Sequence, residues 1–361
     1  ASSSASGGGS VSAVYQINTG PSVAEVLVGW GASGWGLGTW SVGATSTDTL
    51  RLWTQSNFGE DLIFAARGGN LFFWDATDAL TTRGVLLSSE SGASNVPTKV
   101  NTLLVSDNRF VFCFGTNALG GSDLDPMQLR WSDQENALNW TPSSTNQAGD
   151  LRLSKGSEII TAIQGRQEIL VWTDSALYAL QYVGAPAVWG SQTVGENLSI
   201  ASTRAVAYAN GVAYWMGVGG FYRYDGRVQS LPCTVKRYIF NDFNTEQYDQ
   251  VFAGTNEAFS EIWWFYCPSG ATTASRYVIY NYAQNIWYYG NISRTAWIDS
   301  GIRDFPLAAT YNNNIVNHED GIDDNETGTN AGISSFITSA QFDLDDGHKF
   351  AFIQKVYPDV T

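Results

Sequence analysis

Residues 61–75 read DLIFAARGGNLFFWD, and this stretch decides the fold class. Two runs of mostly apolar residues, 61–66 and 71–75, flank the turn sequence Arg-Gly-Gly-Asn at positions 67–70. Aromatic side chains pack well on the pleated surface of a strand, and paired glycines supply the positive φ angles of a tight turn. The stretch therefore predicts a β-hairpin.

The same hairpin pattern recurs along the chain. Clear copies span residues 168–181, 212–226 and 261–282, and two weaker copies end near residues 133 and 320. The returning strands end at marks that lie 38 to 58 residues apart: Asp75, Asp133, Tyr182, Asp225, Tyr282 and Asp320. Repeats of about 40 to 50 residues indicate β-propeller blades, whereas a sandwich would show turns every 8 to 12 residues.

The sequence thus predicts an all-β protein with three regions. A β-propeller of about six or more irregular blades is expected over residues 49–333. Residues 1–48 are rich in Gly, Ser and Trp and predict an arm that docks on a neighbouring subunit, with a flexible linker as the alternative. Three tryptophans supply rigid contact area, which a flexible linker does not require. Residues 334–361 are expected to form exit strands toward a further tube or platform domain.

One short helix is predicted in this strand-rich chain. Within residues 234–248, four apolar side chains fall at helical spacing on one side: Val235, Tyr238, Ile239 and Phe243. A stripe of this kind normally faces a core, so we expect all four to be buried.

The charge of the chain argues against tight binding to nucleic acid. The 361 residues include 19 Lys and Arg against 34 Asp and Glu, a formal net charge of -15. Proteins that grip nucleic acid neutralise its phosphates with Lys and Arg. An excess of negative charge is compatible with a wall past which DNA slides, because like charges repel.

The three cysteines predict free thiols. Their odd number and wide spacing fit neither a disulfide framework nor a zinc site. Cys113 and Cys267 lie in apolar runs, so we expect them to be buried in strands. Unpaired buried cysteines imply folding in a reducing cytoplasm.

Targeting signals are not evident in the sequence. The longest apolar runs are too short to cross a membrane, which takes about 18 residues. The N-terminal stretch 1–9 has no Met, no basic start and no apolar core, so it does not resemble a signal peptide. Both ends look as if they were cut from a longer chain, and we expect an internal segment.

An acidic loop at residues 318–326 is the one candidate metal site. It places five carboxylates in nine residues, and such oxygen-rich loops can hold calcium. The spacing does not match an EF-hand loop, and we interpret the loop as a solvated acidic rim. His318 and His348 are the only histidines, which leaves few ways to build a catalytic triad or a histidine metal site. No metal or cofactor is predicted.

A glycoside hydrolase and a carbohydrate-binding protein are the two alternatives to a structural role. A glycoside hydrolase needs two carboxylates that face each other, and Asp75, Asp225 and Asp320 are candidates. Because they recur at equivalent positions, turn chemistry explains them better, and no catalytic residue or enzyme activity is predicted. A carbohydrate-binding propeller is the stronger alternative. Its candidate stacking residues, for which we prefer a core or subunit contact, are Trp40, Trp189, Trp287, Tyr288 and Tyr289.

The chain also resembles a known protein family. The residues that carry the resemblance are, in order, Tyr15 to Gly20, the Gly-Trp stretch, Leu50 to Trp53, Asn57 to Leu62, Leu129 to Asp133 with Trp140, Gly195 to Asn197, Gly217 to Gly226, Phe240 with Asn241, and Lys355 to Val360. In this order they resemble the tail-nozzle, or tail tubular protein B-like, proteins of short-tailed bacteriophages. The similarity covers nearly the whole chain.

The resemblance implies a structural virion protein without catalytic residues. Such proteins form a homo-hexameric ring at the distal end of the tail, below the portal and adaptor rings, and carry a propeller on the outside of the tube. They retain the packaged DNA, open for genome ejection and contact tail fibres or spikes. The expected location is the virion tail, after assembly in the host cytoplasm. Double-stranded DNA is expected to pass without tight binding.

Overall fold

The computed structural model describes residues 21–24, 50–324, 326, 331–333 and 355. These residues form an all-β fold in the arrangement of a six-bladed β-propeller, as predicted. Helical structure within them is limited to α1 (Lys236–Asn241) and three 3₁₀ helices, at Leu87–Ser89, Thr245–Gln250 and Glu257–Phe259. Among the described residues, no helix combines the length and the apolar character needed to cross a membrane.

Six antiparallel sheets follow one another along the chain. Blade 1 holds β1 (Trp53–Phe58), β2 (Asp61–Ala66), β3 (Leu71–Trp74) and β4 (Val85–Leu86); blade 2 holds β5 (Val100–Val105), β6 (Val111–Asn117), β7 (Leu124–Trp131) and β8 (Gly149–Arg152); blade 3 holds β9 (Ile159–Gln164), β10 (Ile169–Thr173), β11 (Ala176–Gly184) and β12 (Val188–Glu196). Blade 4 holds β13 (Val206–Ala209), β14 (Val212–Met216), β15 (Phe221–Tyr224) and β16 (Val228–Leu231). Blade 5 holds β17 (Phe252–Asn256), β18 (Glu261–Tyr266), β19 (Arg276–Asn281) and β20 (Ile286–Asn291). Within the described residues, blade 6 has three strands, β21 (Ala296–Ile298), β22 (Leu307–Ala309) and β23 (Ile315–Asn317).

The chain divides into two compact units, residues 1–318 and residues 319–361. All six blades belong to the first unit. In the second unit, β24 (Asp323–Asp324) pairs with β25 (Ala331–Gly332). The exit strands predicted over residues 334–361 lie outside the described residues, apart from Lys355.

The hairpins predicted from the sequence are confirmed. The stretch that begins at Asp61 forms β2 and β3, with the glycine turn between them. Each of the six predicted marks lies within three residues of the end of a blade's third strand. The period was readable because blades 1 to 5 each place a returning strand with an aromatic residue, and then a turn, at the same point of the meander.

The core lies between neighbouring blades and is built largely from their second strands. Every residue of β6 and β10 is buried, as are five of the six residues of β18. Trp172, Trp215 and Trp264 occupy the second strands of blades 3, 4 and 5 and are fully buried in one cluster. A second strand has sheet neighbours on both sides and adjacent blades on both faces, so its sequence is apolar throughout instead of alternating.

The short helix forms where it was predicted, but one of its contacts differs. Ile239 and Phe243 are buried and Val235 is half-buried against the same core, whereas Tyr238 is exposed, so the expectation that it faces the core is wrong. Its hydroxyl oxygen accepts a hydrogen bond from Nη1 of Arg276 at 2.6 Å, and its ring lies 4.4 Å from that of Tyr289. A phenol has a polar tip that is satisfied more readily at the surface than inside an apolar cluster.

In blade 6, a histidine is held in its neutral form. Arg294 is buried, and its Nε donates a hydrogen bond to Nε2 of His318 at 2.9 Å. The imidazole ring also lies 4.7 Å from the ring of Trp297. Because Nε2 accepts a hydrogen bond from the guanidinium of Arg294, its lone pair is not available to bind a proton. Burial, together with the charge of Arg294, lowers the pKa of His318 to about 4.

This arrangement predicts an acid-sensitive contribution to stability. The unfolded chain binds a proton at the ordinary pKa of 6.5, above the folded pKa of about 4, so the free energy of unfolding falls as the pH drops between these values. We expect the loss from this group to be about 1–3 kcal/mol. Urea unfolding from pH 7 to 4 should show a shallower decline for His318→Gln than for the parent. Superimposable pH profiles would contradict the prediction.

Candidate functional site

The candidate site is the entry face, the end of the propeller at which the innermost strands begin. We define it by Arg67, Glu158, Arg204, Gln247 and Asp249. The last four precede the first strands of blades 3, 4 and 5, and Arg67 lies in the turn between β2 and β3. A parallel bridge between Arg204 and Phe252 shows that the first strands of blades 4 and 5 start at the same level.

Two arginines tie blades together across the ring. Nη1 of Arg67 lies 2.9 Å from Oδ2 of Asp249, and its Nη2 donates to the carbonyl oxygen of Leu50 at 2.9 Å. Arg204 donates from Nη2 to the carbonyl oxygen of Trp53 at 3.0 Å. Burial lowers the pKa of Arg204. Blade 1 is therefore bound to the segments that enter blades 4 and 5, and not only to its neighbour in sequence.

The acids of the entry face are in unequal electrostatic environments. Burial raises the pKa of Glu158; the nearby Asp174 and Asp249 carboxylates add to this effect, and Arg67 opposes it. Burial also acts to raise the pKa of Asp174, but hydrogen bonds from Ser157 and the local backbone outweigh it and hold that pKa below its usual value. Ser157 donates its amide and hydroxyl to Asp174 at 2.9 and 2.6 Å.

This balance of charge limits what the entry face can bind. Glu158 lies near Asp174, Asp249 and Arg67, and Arg204 donates to a main-chain carbonyl, so the face has no surplus positive charge to neutralise a phosphate backbone. Its ion pair and charge-assisted hydrogen bonds are instead directed at other parts of the same chain. The geometry favours a role in holding the ring together.

A buried glutamine holds a segment of main chain against the entry face. Gln247 is 2% exposed; its Oε1 accepts a hydrogen bond from the amide of Ala24 at 3.1 Å, and its Nε2 donates to the carbonyl oxygen of Ala24 at 2.9 Å. The carbonyl oxygen of Pro21 accepts from the amide of Arg51 at 2.7 Å. The part of region 1–48 that the structure describes thus contacts its own propeller. Docking on a neighbouring subunit stays a prediction.

The candidate acids of a hydrolase lie on separate elements of the chain. Asp75 ends the third strand of blade 1, where its carboxylate accepts hydrogen bonds from the amide and hydroxyl of Thr77 at 2.8 and 2.7 Å. These bonds lower the pKa of Asp75 and fit the turn role preferred from the sequence. Asp225 follows the third strand of blade 4, and Asp320 belongs to the second unit.

The candidate sugar-stacking residues divide into two groups. Trp189 and Trp287 are buried in blade cores, as the preferred interpretation predicted. Tyr288 and Tyr289 are exposed on β20, and Tyr289 pairs with the exposed Tyr238. Trp40 lies outside the described residues, as do Trp30, Trp35 and His348.

The acidic loop is only partly described. Glu319, Asp320, Asp323 and Asp324 are exposed to solvent, and Asn325 lies outside the described residues. Within the part of the chain that the structure describes, no group of three or more His, Cys, Asp and Glu side chains is placed to hold a metal ion. The predicted solvated rim agrees with the exposure of these four acids.

The three thiols are free, as predicted. Cys113 and Cys267 are buried and Cys233 is half-buried. Burial raises the pKa of all three, to about 11 for Cys233 and about 12 for Cys267. The thiolate is the nucleophilic form, so these cysteines are unreactive at neutral pH.

Sequence reasoning missed the residues of the entry face. Arg67 and Asp249 are 182 positions apart, and no local pattern joins them. The available signal was positional: Glu158, Arg204 and Asp249 each lie within three residues of a blade's first strand. Superimposing the predicted blades on one another would have drawn attention to charged residues at that repeated position.

The contact between Arg67 and Asp249 can be measured by a double-mutant cycle. We expect Arg67→Met and Asp249→Asn each to destabilise the protein, with a coupling of about 1 kcal/mol, because the pair is only partly buried. The coupling should be read from urea unfolding of the parent, both single variants and the double variant. Additive effects of the two substitutions would show that the contact contributes nothing to the ring.

Comparisons with known proteins identify no family for the chain. No family model and no curated protein matches the chain. Among solved structures, BamB from Moraxella catarrhalis has 15% identity and a TM-score of 0.40, over 74% of this chain and 70% of its own. Hsv2 from Kluyveromyces lactis has 8% identity and a TM-score of 0.38, over 71% and 69%.

A third match is the extracellular domain of the hybrid two component system BT4673 from B. thetaiotaomicron. It has 10% identity and a TM-score of 0.45 over 72% of this chain, which spans only 30% of that chain. Identities and scores at this level carry no information about the function of this chain.

Proposed function

We propose that this chain is a subunit of the tail nozzle of a short-tailed bacteriophage. In this role it is a structural virion protein that forms part of the distal DNA channel, retains the packaged genome and opens for ejection. The observation that carries the proposal is the order of short motifs along the chain, from Tyr15 to Val360, which resembles that family. Its partners are five further copies, an adaptor ring and tail fibres or spikes.

The motif residues are used to hold the shape of the fold. Arg130 is 2% exposed, and its guanidinium donates to the carbonyl oxygens of Asn95 and Trp140 at 2.6 and 3.4 Å. Ser132 is buried and accepts from the amide of Val111 at 3.0 Å. Side chains used in this way fix loops against strands, which supports a scaffold role over a catalytic one.

The charge distribution supports a channel wall. The chain has a net charge of -15, and the arginines of the entry face contact acids and carbonyl groups of the chain itself. Such a chain offers duplex DNA no surplus of positive charge, and like charges repel at distances below the Debye length of about 8 Å at physiological salt.

The proposal is tested on intact particles and on the intact protein. We expect negative-stain electron microscopy of the purified full-length protein to show six-fold rings, and mass spectrometry to find the chain in purified virions. DNA retardation at about 150 mM salt should show no stable complex with a duplex of random sequence. Monodisperse monomers at every concentration, together with absence from virions, would exclude the nozzle.

One observation favours carbohydrate binding as a second candidate. Tyr238 and Tyr289 form an exposed aromatic pair, with the guanidinium carbon of Arg276 5.8 Å from the centre of the Tyr238 ring. Exposed rings beside polar groups can stack on sugars. Glycan-array binding that is lost in Tyr289→Ala and kept in Phe259→Ala, an exposed aromatic control, would favour this candidate. Binding to no glycan would remove it.

A further inference from the structure

Blade 1 has an apolar face that no other blade covers among the described residues. Its other face packs on blade 2 through Ile63, Ala65 and Leu71, which are buried. On the uncovered face, β-pairing places Phe64 beside Phe72, and their rings stack at 5.5 Å. The remaining members of this face are the buried Ala66 and six residues that are exposed or half-buried: Trp53, Gln55, Asn57, Leu62, Trp74 and Leu86.

Blade 6 has an uncovered face of the same kind. Its packed face meets blade 5 through Trp297, whose ring lies 5.0 Å from that of Trp263, and through the buried Ala308. The opposite face carries Ile298 and Ile315, which are 54% and 76% exposed. Leu307 lies between their strands on the same face and is half-buried.

These two faces define the seam, the place in the ring where the last blade meets the first. The buried clusters of the described residues join blades 1 and 2, blades 2 and 3, blades 3 to 5, and blades 5 and 6, but none of them joins blade 6 to blade 1. Contiguous exposed apolar surfaces mark interaction sites, and propellers cover the faces of their blades. The high exposure of Ile315 shows that blade 1 does not cover it.

We propose that residues 25–49 of the same chain dock on the seam. Both ends of this segment are fixed at the entry face: Ala24 is held by Gln247, which precedes blade 5, and Leu50 precedes β1 and is held by Arg67. The bond between the carbonyl of Pro21 and the amide of Arg51 brings the two ends together. The chain therefore leaves and returns beside blade 1, next to the segment that enters blade 5.

The length of the segment suits the seam. Twenty-five extended residues span about 80 Å, so a path that goes out and returns reaches about 40 Å. Four strands spaced about 4.8 Å apart make a blade roughly 15–20 Å wide. The segment can cross a blade face and come back without strain.

The chemistry of the segment matches that of the seam. Between Glu25 and Asp48 there is no charged residue, and the apolar members of this stretch are Val26, Leu27, Val28, Trp30, Trp35, Leu37, Trp40 and Val42. The seam faces are likewise uncharged, with aromatic and aliphatic side chains interrupted by three amides: Gln55, Asn57 and Asn317. Docking would remove apolar surface from water on both partners.

Hydrogen exchange of the full-length protein, read by mass spectrometry, tests the proposal. We expect peptides from 25–49 to exchange at least tenfold more slowly than an unstructured peptide of the same sequence. Ile315→Asp should raise their exchange about tenfold, because it places a charge in the seam. Ile302→Asp is the matched control, since Ile302 belongs to the same blade but lies in its β21–β22 loop and is fully exposed. It should leave the exchange unchanged.

Three results would overturn the proposal. The first is exchange of 25–49 at the unstructured rate in the parent, which needs no variant to be folded. The second is an equal response to Ile315→Asp and Ile302→Asp, with far-ultraviolet circular dichroism confirming that both are folded. The third is protection that disappears when the protein is diluted until light scattering reports a monomer. The segment docked on the seam would then come from a neighbouring copy. None of these readouts depends on the nozzle proposal.

Discussion

Trp264→Ala is expected to lower the free energy of unfolding by about 4 kcal/mol. Trp264 is fully buried on β18, and its ring lies 5.0 Å from that of Phe221 in blade 4 and 6.1 Å from that of Trp287 in blade 5. Its indole nitrogen donates to the carbonyl oxygen of Ala205 at 3.0 Å. Truncation leaves a cavity between two blades and removes one of the two hydrogen bonds that the carbonyl oxygen of Ala205 accepts, the other coming from the amide of Met216 at 3.1 Å.

Urea unfolding of the parent and of the variant measures this loss. Tyr288→Ala, which removes an exposed ring from the same blade, should cost less than about 1 kcal/mol. Trp264→Phe should fall between the two, because a phenyl ring fills part of the cavity but cannot donate to Ala205. Similar costs for Trp264→Ala and Tyr288→Ala would show that the packing between blades 4 and 5 does not control stability.

Arg130→Leu is expected to destabilise the protein by about 3 kcal/mol, although leucine suits a buried position. The guanidinium of Arg130 bonds the carbonyl oxygens of Asn95, Asn117 and Trp140 at 2.6 to 3.5 Å. Its carbon also lies 6.0 Å from the ring centre of Trp140, which is buried. The substitution leaves carbonyl groups without donors inside blade 2, and their desolvation is no longer offset.

Arg152→Leu is the matched control for this experiment. Arg152 lies on β8 in the same blade and pairs with Asp125 at 2.7 Å, but its side chain is largely exposed. Exposed ion pairs contribute about 0–1 kcal/mol, so the control should be close to the parent. Equal losses from Arg130→Leu and Arg152→Leu would show that the buried hydrogen bonds of Arg130 have no special weight.

Much of the architecture was predictable because hairpins are local. Glycines between two apolar runs specify a turn within a few residues, and β2 with β3, β10 with β11, β14 with β15 and β18 with β19 all form where the sequence predicted them. The buried state of Cys113 and Cys267 followed from the same runs. The prediction for Tyr238 was wrong, because helical spacing alone does not show which side of a six-residue helix has a polar partner.

The candidate site was not predictable in the same way. The sequence drew attention to acids at the ends of third strands, such as Asp75 and Asp225, whereas the structure brings charges together at the starts of first strands. Arg67 meets Asp249, and Gln247 meets Ala24 across 223 positions. Such pairs depend on how far the ring curves, and no spacing along the chain encodes that curvature.

The sequence by itself determined the hairpins and their turns, since each depends on side chains a few residues apart, and it indicated that they repeat every about 40 to 50 residues. Only the tertiary structure decided which of these repeats face one another, which charges meet at the entry face and which apolar faces stay uncovered at the seam. The physical reason is that each blade is rotated slightly relative to the one before it, and these rotations add up around the ring. Which residues meet therefore depends on the packing of the whole core.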